Sequence, residues 1–251
     1  MSLARRHRER ILAEQSALAS MGDVATAGSP AVASLPADRA VASAAAQIGA
    51  RLRHDLQRLK EIKSIDRKIA AKREMLPEYA DWVAGLLSGA QVAGAGVSGD
   101  VLPTVMVWNI DVGDYAAAMP LIEHVLAHKV AMPQRYARDA ATLIVEEIAE
   151  AAIKAQAADK PFDLAILEQV EALTAHDDMH DEVRAKLLKA IGFELNRGVD
   201  GVEPGINATT AALDYLRRAQ ALHDRVGVKT TIKAVEKRLA AAKPDTAGST
   251  G

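Results

Sequence analysis

Apolar residues recur every three or four positions over most of this chain, which is the spacing of one face of an α-helix. The densest block, residues 104–158, contains Val105 and Trp108 at this spacing and predicts the helical core. Residues 104–110 could instead form a strand because Val105 and Val107 alternate, but no other segment offers a β partner. The sequence therefore predicts an all-α fold.

A second apolar series, from Ile48 to Ile69, has an average spacing of about 3.5 residues, the period of a coiled coil. It predicts one long, basic, coiled-coil-like helix over residues 47–76. The Leu76-Pro77 pair ends this helix because proline disfavours helical geometry in the preceding residue. We expect the apolar seam to join chains. The predicted oligomerisation residues are Leu52, Leu56, Leu59, Ile62 and Ile69.

The exterior of the same helix carries many more basic than acidic side chains. Such a surface is either an ordinary solvated face or a contact for the phosphates of DNA, and an oligomer would concentrate its charge. The predicted DNA-binding residues are Arg51, Arg53, Arg58, Lys60, Lys63, Arg67, Lys68, Lys72 and Arg73.

The net charge of −2 is distributed unevenly along the chain, with +7 over residues 1–73, −14 over residues 74–216 and +5 over residues 217–251. The basic N-terminal and C-terminal segments, on either side of an acidic central segment, indicate that the two ends of the chain contact a polyanion. The absence of cysteine excludes disulfides and thiolate metal sites. No apolar run approaches the length of a membrane span, so we expect no membrane partner.

The remaining segments are predicted from composition and from helix start and stop signals. The first residues combine a basic start with Ala, Gly, Ser and Pro, a composition that buries little surface. In order, the predicted segments are a flexible basic N-terminal arm (1–46), the basic helix (47–76), a central helical core with a Gly-rich linker at 88–100 (77–160), a C-terminal helical region with a tetratricopeptide-like hairpin (161–240) and a disordered tail (241–251).

The sequence supports candidate catalytic and metal sites less strongly than it supports these surfaces. His124 and His128 lie four apart on a helix, a spacing that can share one metal ion, but a solvated pair is the simpler interpretation. Glu146, Glu147 and Glu150 place acids one turn apart, yet no activating base or cation accompanies them, so an acidic helix face explains them. The Gly-rich linker lacks the Gly-Lys-Ser/Thr ending of a phosphate loop. We predict no catalytic residue, no metal site and no cofactor.

Several short motifs occur in one order along the chain: Leu76-Pro77-x-Tyr79-x-x-Trp82-Val83, Thr104-Val105-Met106-x-Trp108-x-Ile110-Asp111-x-Gly113-Asp114, Met132-Pro133 and Glu146-Glu147. Together with LTAHDDMHDEVRAKLL at residues 173–188, this order resembles the terminase small subunits of peduovirus-type tailed bacteriophages. The resemblance covers roughly residues 48–240.

This resemblance implies a DNA-packaging protein in the cytoplasm of the bacterial host. Such a protein would bind the cohesive-end region of double-stranded viral DNA, form a homo-oligomer, ring-shaped if head-to-tail contacts close, and recruit and regulate the large ATPase-nuclease subunit. Two alternatives stay open. The family is also described as the endonuclease subunit, which implies metal-dependent DNA cleavage of its own. The chain could also be a helical-repeat scaffold that binds protein and no nucleic acid.

Overall fold

The computed structural model describes residues 3–25, 36–198 and 204–242, and over these ranges its regular structure is helical, without a strand. The predicted all-α fold is confirmed. The chain forms two compact units, Met1–Ala140 and Ala141–Gly251. The helices of the first unit are α1 (Leu3–Ala25), α2 (Pro36–Glu61), α3 (Ile65–Met75), a 3-10 turn (Leu76–Glu78), α4 (Ala80–Ala93), α5 (Val101–Val112) and α6 (Tyr115–Ala127). Those of the second are α7 (Ala140–Ala157), α8 (Leu164–Leu173), α9 (Asp181–Arg197), α10 (Ile206–Leu222) and α11 (Lys229–Ala242).

Helix α5 is the centre of the first unit. Its residues from Leu102 to Ile110 are all buried, so the apolar run that could be taken for a strand is a helix surrounded by other helices. Helices α2, α3, α4 and α6 all contact it. Trp108 on α5 is almost fully buried, and the ring of Tyr79 meets it edge-on at a centroid distance of 5.7 Å. This edge-to-face geometry is a favourable arrangement of two aromatic rings in a core.

Helix α1 lies where the sequence predicts a flexible arm, and it packs closely on α4. Ala13 and Ala17 are buried in this contact. A Cβ added at Gly85 would lie 2.2 Å from the carbonyl oxygen of Arg10, so the two backbones almost touch. The Arg6 guanidinium also pairs with Asp81 at 2.6 Å. The structure differs from the prediction because small residues, which bury little side chain, allow whole helices to approach closely.

The long helix predicted over residues 47–76 is wrong as a single element, because α2 ends at Glu61 and α3 begins at Ile65. Ser64 is the N-cap of α3, and its hydroxyl oxygen accepts a hydrogen bond from the Arg67 backbone N–H at 3.4 Å. A capped helix start satisfies a backbone donor that would otherwise have no partner. The apolar series therefore continues across a break in the helix.

The Gly-rich segment is shorter than predicted. Helix α4 extends to Ala93, and Gly94 ends it in the left-handed region at φ 65°, a conformation that favours glycine. Its N–H donates to the carbonyl oxygens of Ala90 and Gln91. The non-helical linker is therefore residues 94–100.

The second unit is built from paired helices. Helix α9 packs closely along α10, where Gly192 lies so near the Leu216 side chain that an added Cβ would come within 2.7 Å of it. Helix α8 packs on α9, and α11 packs on α10 through the buried Val235. The helices α10 and α11 form a hairpin over the predicted span, while its likeness to a tetratricopeptide unit stays a prediction.

Parts of three predictions lie outside the described residues. They are residues 1–2 and 26–35 of the predicted arm, residues 199–203 of the predicted C-terminal helical region and residues 243–251 of the predicted tail. Within the described ranges, no helix is long and apolar enough to cross a bilayer.

Candidate nucleic-acid interface

The basic residues of α2 lie on two flanks of one buried stripe. Leu52 and Leu59 face the core. Arg51 and Arg58 each precede one of these leucines by one position, whereas Arg53 and Lys60 each follow one. Because successive residues of a helix are rotated by about 100°, the two pairs point to opposite sides of the stripe. The flanks have different surroundings, and this difference separates the predicted DNA contacts into two groups.

One flank of α2 faces acidic side chains that follow it in sequence. Arg51 pairs with the Glu78 carboxylate at 3.1 Å and also donates to the Glu78 carbonyl oxygen at 3.1 Å. Arg58 pairs with the Glu74 carboxylate at 3.0 Å. These two arginines join α2 to the end of α3 and to the turn after it. Both already have a negative partner within the chain.

Two further predicted contacts join α3 to α5. The Lys72 ammonium pairs with the Asp111 carboxylate, and both groups are largely buried. The Arg73 guanidinium donates to the carbonyl oxygen of Val112, the last residue of α5, at 3.1 Å. A cation at the C-terminus of a helix also interacts favourably with the helix dipole. Lys72 and Arg73 thus hold the first unit together.

The other predicted contacts have no ion-pair partner among the described residues, and all but Lys68, which is half-buried, are exposed. They lie on the second flank of α2, in the break after it and on the first turn of α3, so they surround one helix junction. The members of this junction surface are Arg53, Lys60, Lys63, Arg67 and Lys68.

The predicted oligomerisation residues also divide in two. Leu52 and Leu59 belong to the core of the first unit, which leaves them little surface for another chain. Leu56, Ile62 and Ile69 are half-buried, and Ile65 beside them is 72% exposed. If the seam joins chains, these partly exposed residues are the ones that make the contact.

A buried polar contact fixes α2 against the turn that follows α3. The Tyr79 hydroxyl donates to the Asp55 carboxylate at 2.7 Å, and both side chains are buried. Burial and this hydrogen bond raise the pKa of Tyr79 well above its ordinary value, so the phenol stays neutral and remains the donor. Sequence reasoning did not find Asp55, Glu74, Glu78 and Asp111 as partners, since no local pattern shows which distant cation each one meets.

A groove in the first unit has a different character. It encloses about 780 Å³ and is lined mainly by apolar side chains of the 3-10 turn, α4, α5 and α6, among them Leu76, Val83, Leu87 and Leu121. Such a lining suits apolar groups, whereas the phosphates of DNA need cations and hydrogen-bond donors. The junction surface is therefore the better candidate for DNA.

Comparison with known proteins gives the family. The model of the phage small terminase subunit family matches residues 49–182, which is more than half of the chain. The chain belongs to this family. It is also 38% identical over 193 residues, 77% of this chain and 73% of the relative, to a protein of Escherichia phage P2 named "Terminase, endonuclease subunit". No solved structure matches. Membership of the small terminase subunit family supports a role in packaging.

The part that matches the small terminase subunit family begins within α2 and includes the whole junction surface. Tyr79, Trp82 and Trp108, which carry part of the sequence resemblance, are all buried in the core of the first unit. The motif residues therefore build the fold, while the candidate contacts with DNA lie on its surface.

The phage P2 relative is named an endonuclease subunit, and nucleases commonly use carboxylates to hold divalent metal ions. Glu146, Glu147 and Glu150 all lie on α7, and the Glu150 carboxylate pairs with the Lys186 ammonium at 3.1 Å. Lys186 also pairs with Glu182 at 3.4 Å. Over the described residues, no group of three or more His, Asp or Glu side chains has the arrangement of a metal site. The lysine of this cluster links α7 to α9 within the second unit.

His124 on α6 and His128, the residue that ends this helix, have structural contacts. The Val97 backbone N–H donates to Nε2 of His124 at 3.2 Å, and the His128 ring lies 4.6 Å from the His124 ring between centroids. Burial lowers the pKa of His124 below its ordinary value of 6.5, and the neighbouring His128 lowers it further. The neutral ring therefore accepts a hydrogen bond that fixes the Gly-rich linker to α6.

We predict that acid weakens this contact. Because the folded pKa of His124 is below the unfolded value of 6.5, its contribution to stability is complete above pH 6.5 and is lost as the pH falls through the folded pKa. Substituting His124→Gln, which keeps an acceptor without the titration, should reduce the loss of Tm on the acid side. Thermal melts across this pH range measure it, with the exposed His7→Gln as the control. An identical acid-side loss in His124→Gln and wild type would contradict the prediction.

Proposed function

We propose that this chain binds the packaging, cohesive-end site of viral DNA, assembles into a homo-oligomer, and recruits and regulates the large terminase subunit in the cytoplasm of the bacterial host. The observation that carries the proposal is the junction surface, where five basic side chains have no acidic partner among the described residues. This surface lies inside the part of the chain that matches the phage small terminase subunit family.

The charge of the surroundings supports this assignment. Residues 74–216 carry a net charge of −14, so most of the chain repels a polyanion. A phosphate backbone would therefore approach where basic side chains are concentrated and not neutralised from within. Contacts to phosphate supply affinity and orientation, whereas reading the sequence needs contacts to the base edges. We assign the junction surface to the first of these roles.

Assembly would strengthen the same contact. Leu56, Ile62, Ile65 and Ile69 present partly exposed apolar side chains around the α2–α3 break, next to the junction surface. A contact between chains at this place would bring several junction surfaces together on one DNA molecule, and linked sites bind with higher apparent affinity. A head-to-tail contact that closes would give a ring.

The proposal is tested by binding of a fluorescent duplex that contains the cohesive-end region, with a scrambled duplex of equal length for comparison. If all five cations contact phosphates, the logarithm of affinity should fall with the logarithm of salt concentration with a slope of roughly −4.5 for each bound subunit. Native mass spectrometry of the free protein gives the number of subunits. Absence of DNA binding at low salt would favour the protein-binding scaffold, and a monomeric mass would contradict assembly.

The name of the phage P2 relative keeps the endonuclease alternative open. Cleavage requires acids that hold divalent metal near an activating group, whereas the Glu150 carboxylate is engaged by Lys186. We therefore favour the regulatory DNA-binding role. Incubating a supercoiled plasmid with the purified protein and Mg²⁺ or Mn²⁺, without the large subunit, decides between the two. Metal-dependent nicking that copurifies with the protein would establish the endonuclease role.

A further inference from the structure

The Arg58–Glu74 pair differs from the other ion pairs around the junction surface in being open to solvent. The Arg58 side chain is 49% exposed and that of Glu74 is 66% exposed. By contrast, Arg51 is only 28% exposed and is held by both the carboxylate and the backbone carbonyl of Glu78. An exposed ion pair contributes little to folding stability, so this pair can be broken by substitution without disturbing the fold.

Glu74 is also placed on the face of α3 that DNA would approach. It follows Arg67 by seven residues, or two helical turns, so the two side chains lie on the same face of the helix. Arg67 belongs to the junction surface. Arg58 is therefore one more cation at the edge of the junction surface, and Glu74 already neutralises its charge.

We propose that Glu74 acts as an internal counter-ion that withholds Arg58 from the phosphates of DNA and so limits the affinity of the junction surface. The inference rests on the proposed DNA-binding function. A withheld phosphate contact lowers affinity for every duplex alike, because phosphate contacts carry no sequence information. Glu74 therefore reduces non-specific binding, which leaves base contacts a larger share of the total affinity.

The substitution Glu74→Gln, which removes the negative charge and nearly keeps the side-chain shape, tests this inference. It should release Arg58 to make one more phosphate contact, which raises affinity roughly 8-fold at about 0.1 M salt and steepens the log–log salt slope by roughly 0.9. The gain should be the same for the cohesive-end duplex and the scrambled duplex. The matched control is Glu78→Gln, which removes the same charge from a nearby acid. It should leave the slope unchanged, because the Glu78 carbonyl oxygen still holds Arg51.

A double-mutant cycle separates release of Arg58 from simple removal of a repulsive charge. In the wild-type background, Arg58→Gln should leave the salt slope unchanged, because Arg58 is paired with Glu74. In the Glu74→Gln background, the same substitution should abolish the whole gain. A gain that persists without Arg58 would show that Glu74 only repels DNA and would overturn the inference. Loss of slope in the single Arg58→Gln variant would overturn it too, since Arg58 would already contact phosphate.

The result also distinguishes this inference from the proposed function. If the wild-type protein binds no duplex, the proposed function and the inference both fail. If it binds DNA with a steep salt slope but Glu74→Gln changes neither affinity nor slope, the function stands and the inference alone fails. The substituted pair is exposed, so these variants should retain the wild-type Tm, which a thermal melt checks before binding is measured.

Discussion

Replacing Lys63, Arg67 and Lys68 with glutamine should lower affinity for duplex DNA several hundred-fold at about 0.1 M salt and flatten the log–log salt slope by roughly 2.7 for each bound subunit. The expectation follows from the position of these residues, which lie around the α2–α3 junction without an ion-pair partner among the described residues. Each one can neutralise a phosphate without first losing an internal partner. Fluorescence anisotropy at several salt concentrations measures both quantities.

The chain offers a matched control for this charge change. Lys229, Lys233 and Lys237 are exposed at four-residue intervals on α11, and none has an ion-pair partner among the described residues. Changing these three lysines to glutamine removes the same number of charges from a second basic helix and should leave affinity and slope nearly unchanged. If instead the α11 variant loses binding and the junction variant keeps it, the DNA-binding surface lies at the basic C-terminal end.

The triple junction variant should also separate DNA binding from assembly. None of the three substituted residues belongs to the apolar series of Leu56, Ile62 and Ile69. We therefore expect the native mass of the oligomer to be the same as that of the wild type. A change of mass together with loss of DNA binding would instead indicate that the charged residues stabilise the contact between chains.

Helical periodicity in the sequence was sufficient to predict the fold class. Val105 and Trp108 recur at helical spacing, and α5 places both of them in the core. The break after α2 was not predicted, although Ser64 is a residue type that favours helix starts. The apolar series has the same spacing on both sides of the break, so periodicity alone could not show that the helix stops.

The predicted interface had the correct residue types, but their partners could not be predicted. Lys72 and Lys68 are equivalent in sequence, since both are basic and lie one turn apart on α3. In the structure, Lys72 meets Asp111 of α5, whereas Lys68 meets no acid among the described residues. The difference arises from packing between segments about forty residues apart, which charge patterns along one helix do not show.

The N-terminal helix α1 was not predicted, for a different reason. Composition argued for a flexible arm because alanine and glycine bury little apolar area. The contact between α1 and α4 depends instead on the close approach of the two helix backbones. Ala13 and Ala17 on α1 face Gly85 and Gly89 on α4. Closely packed backbones gain many short-range dispersion contacts even where the side chains are small. Small residues four apart are present in the sequence of both helices, but Ala13 and Ala17 lie in the predicted arm and Gly89 lies in the predicted Gly-rich linker, so the sequence did not indicate that they meet.

This close contact gives the second prediction of large effect. Substituting Gly85→Leu should destabilise the first unit by about 1–3 kcal/mol, the usual range for overpacking, and should displace α1 from α4. A Cβ at this position would lie 2.2 Å from a backbone oxygen and 2.7 Å from the Ala13 Cβ, and neither atom can move without moving α1. Hydrogen–deuterium exchange should show loss of protection in α1, with a lower Tm.

The matched control is Gly49→Leu on α2, where the nearest atom to an added Cβ is Nη1 of the flexible Arg53 side chain, at 3.6 Å. It exchanges the same residue types within a helix of the same unit, and leucine has the better helix propensity. We therefore expect it to keep or raise Tm and to leave α1 protected. Unchanged protection of α1 in Gly85→Leu would mean that the helices do not approach as closely as these distances require. Loss of protection in Gly85→Leu alone would establish that glycine on α4 is what allows α1 to pack there.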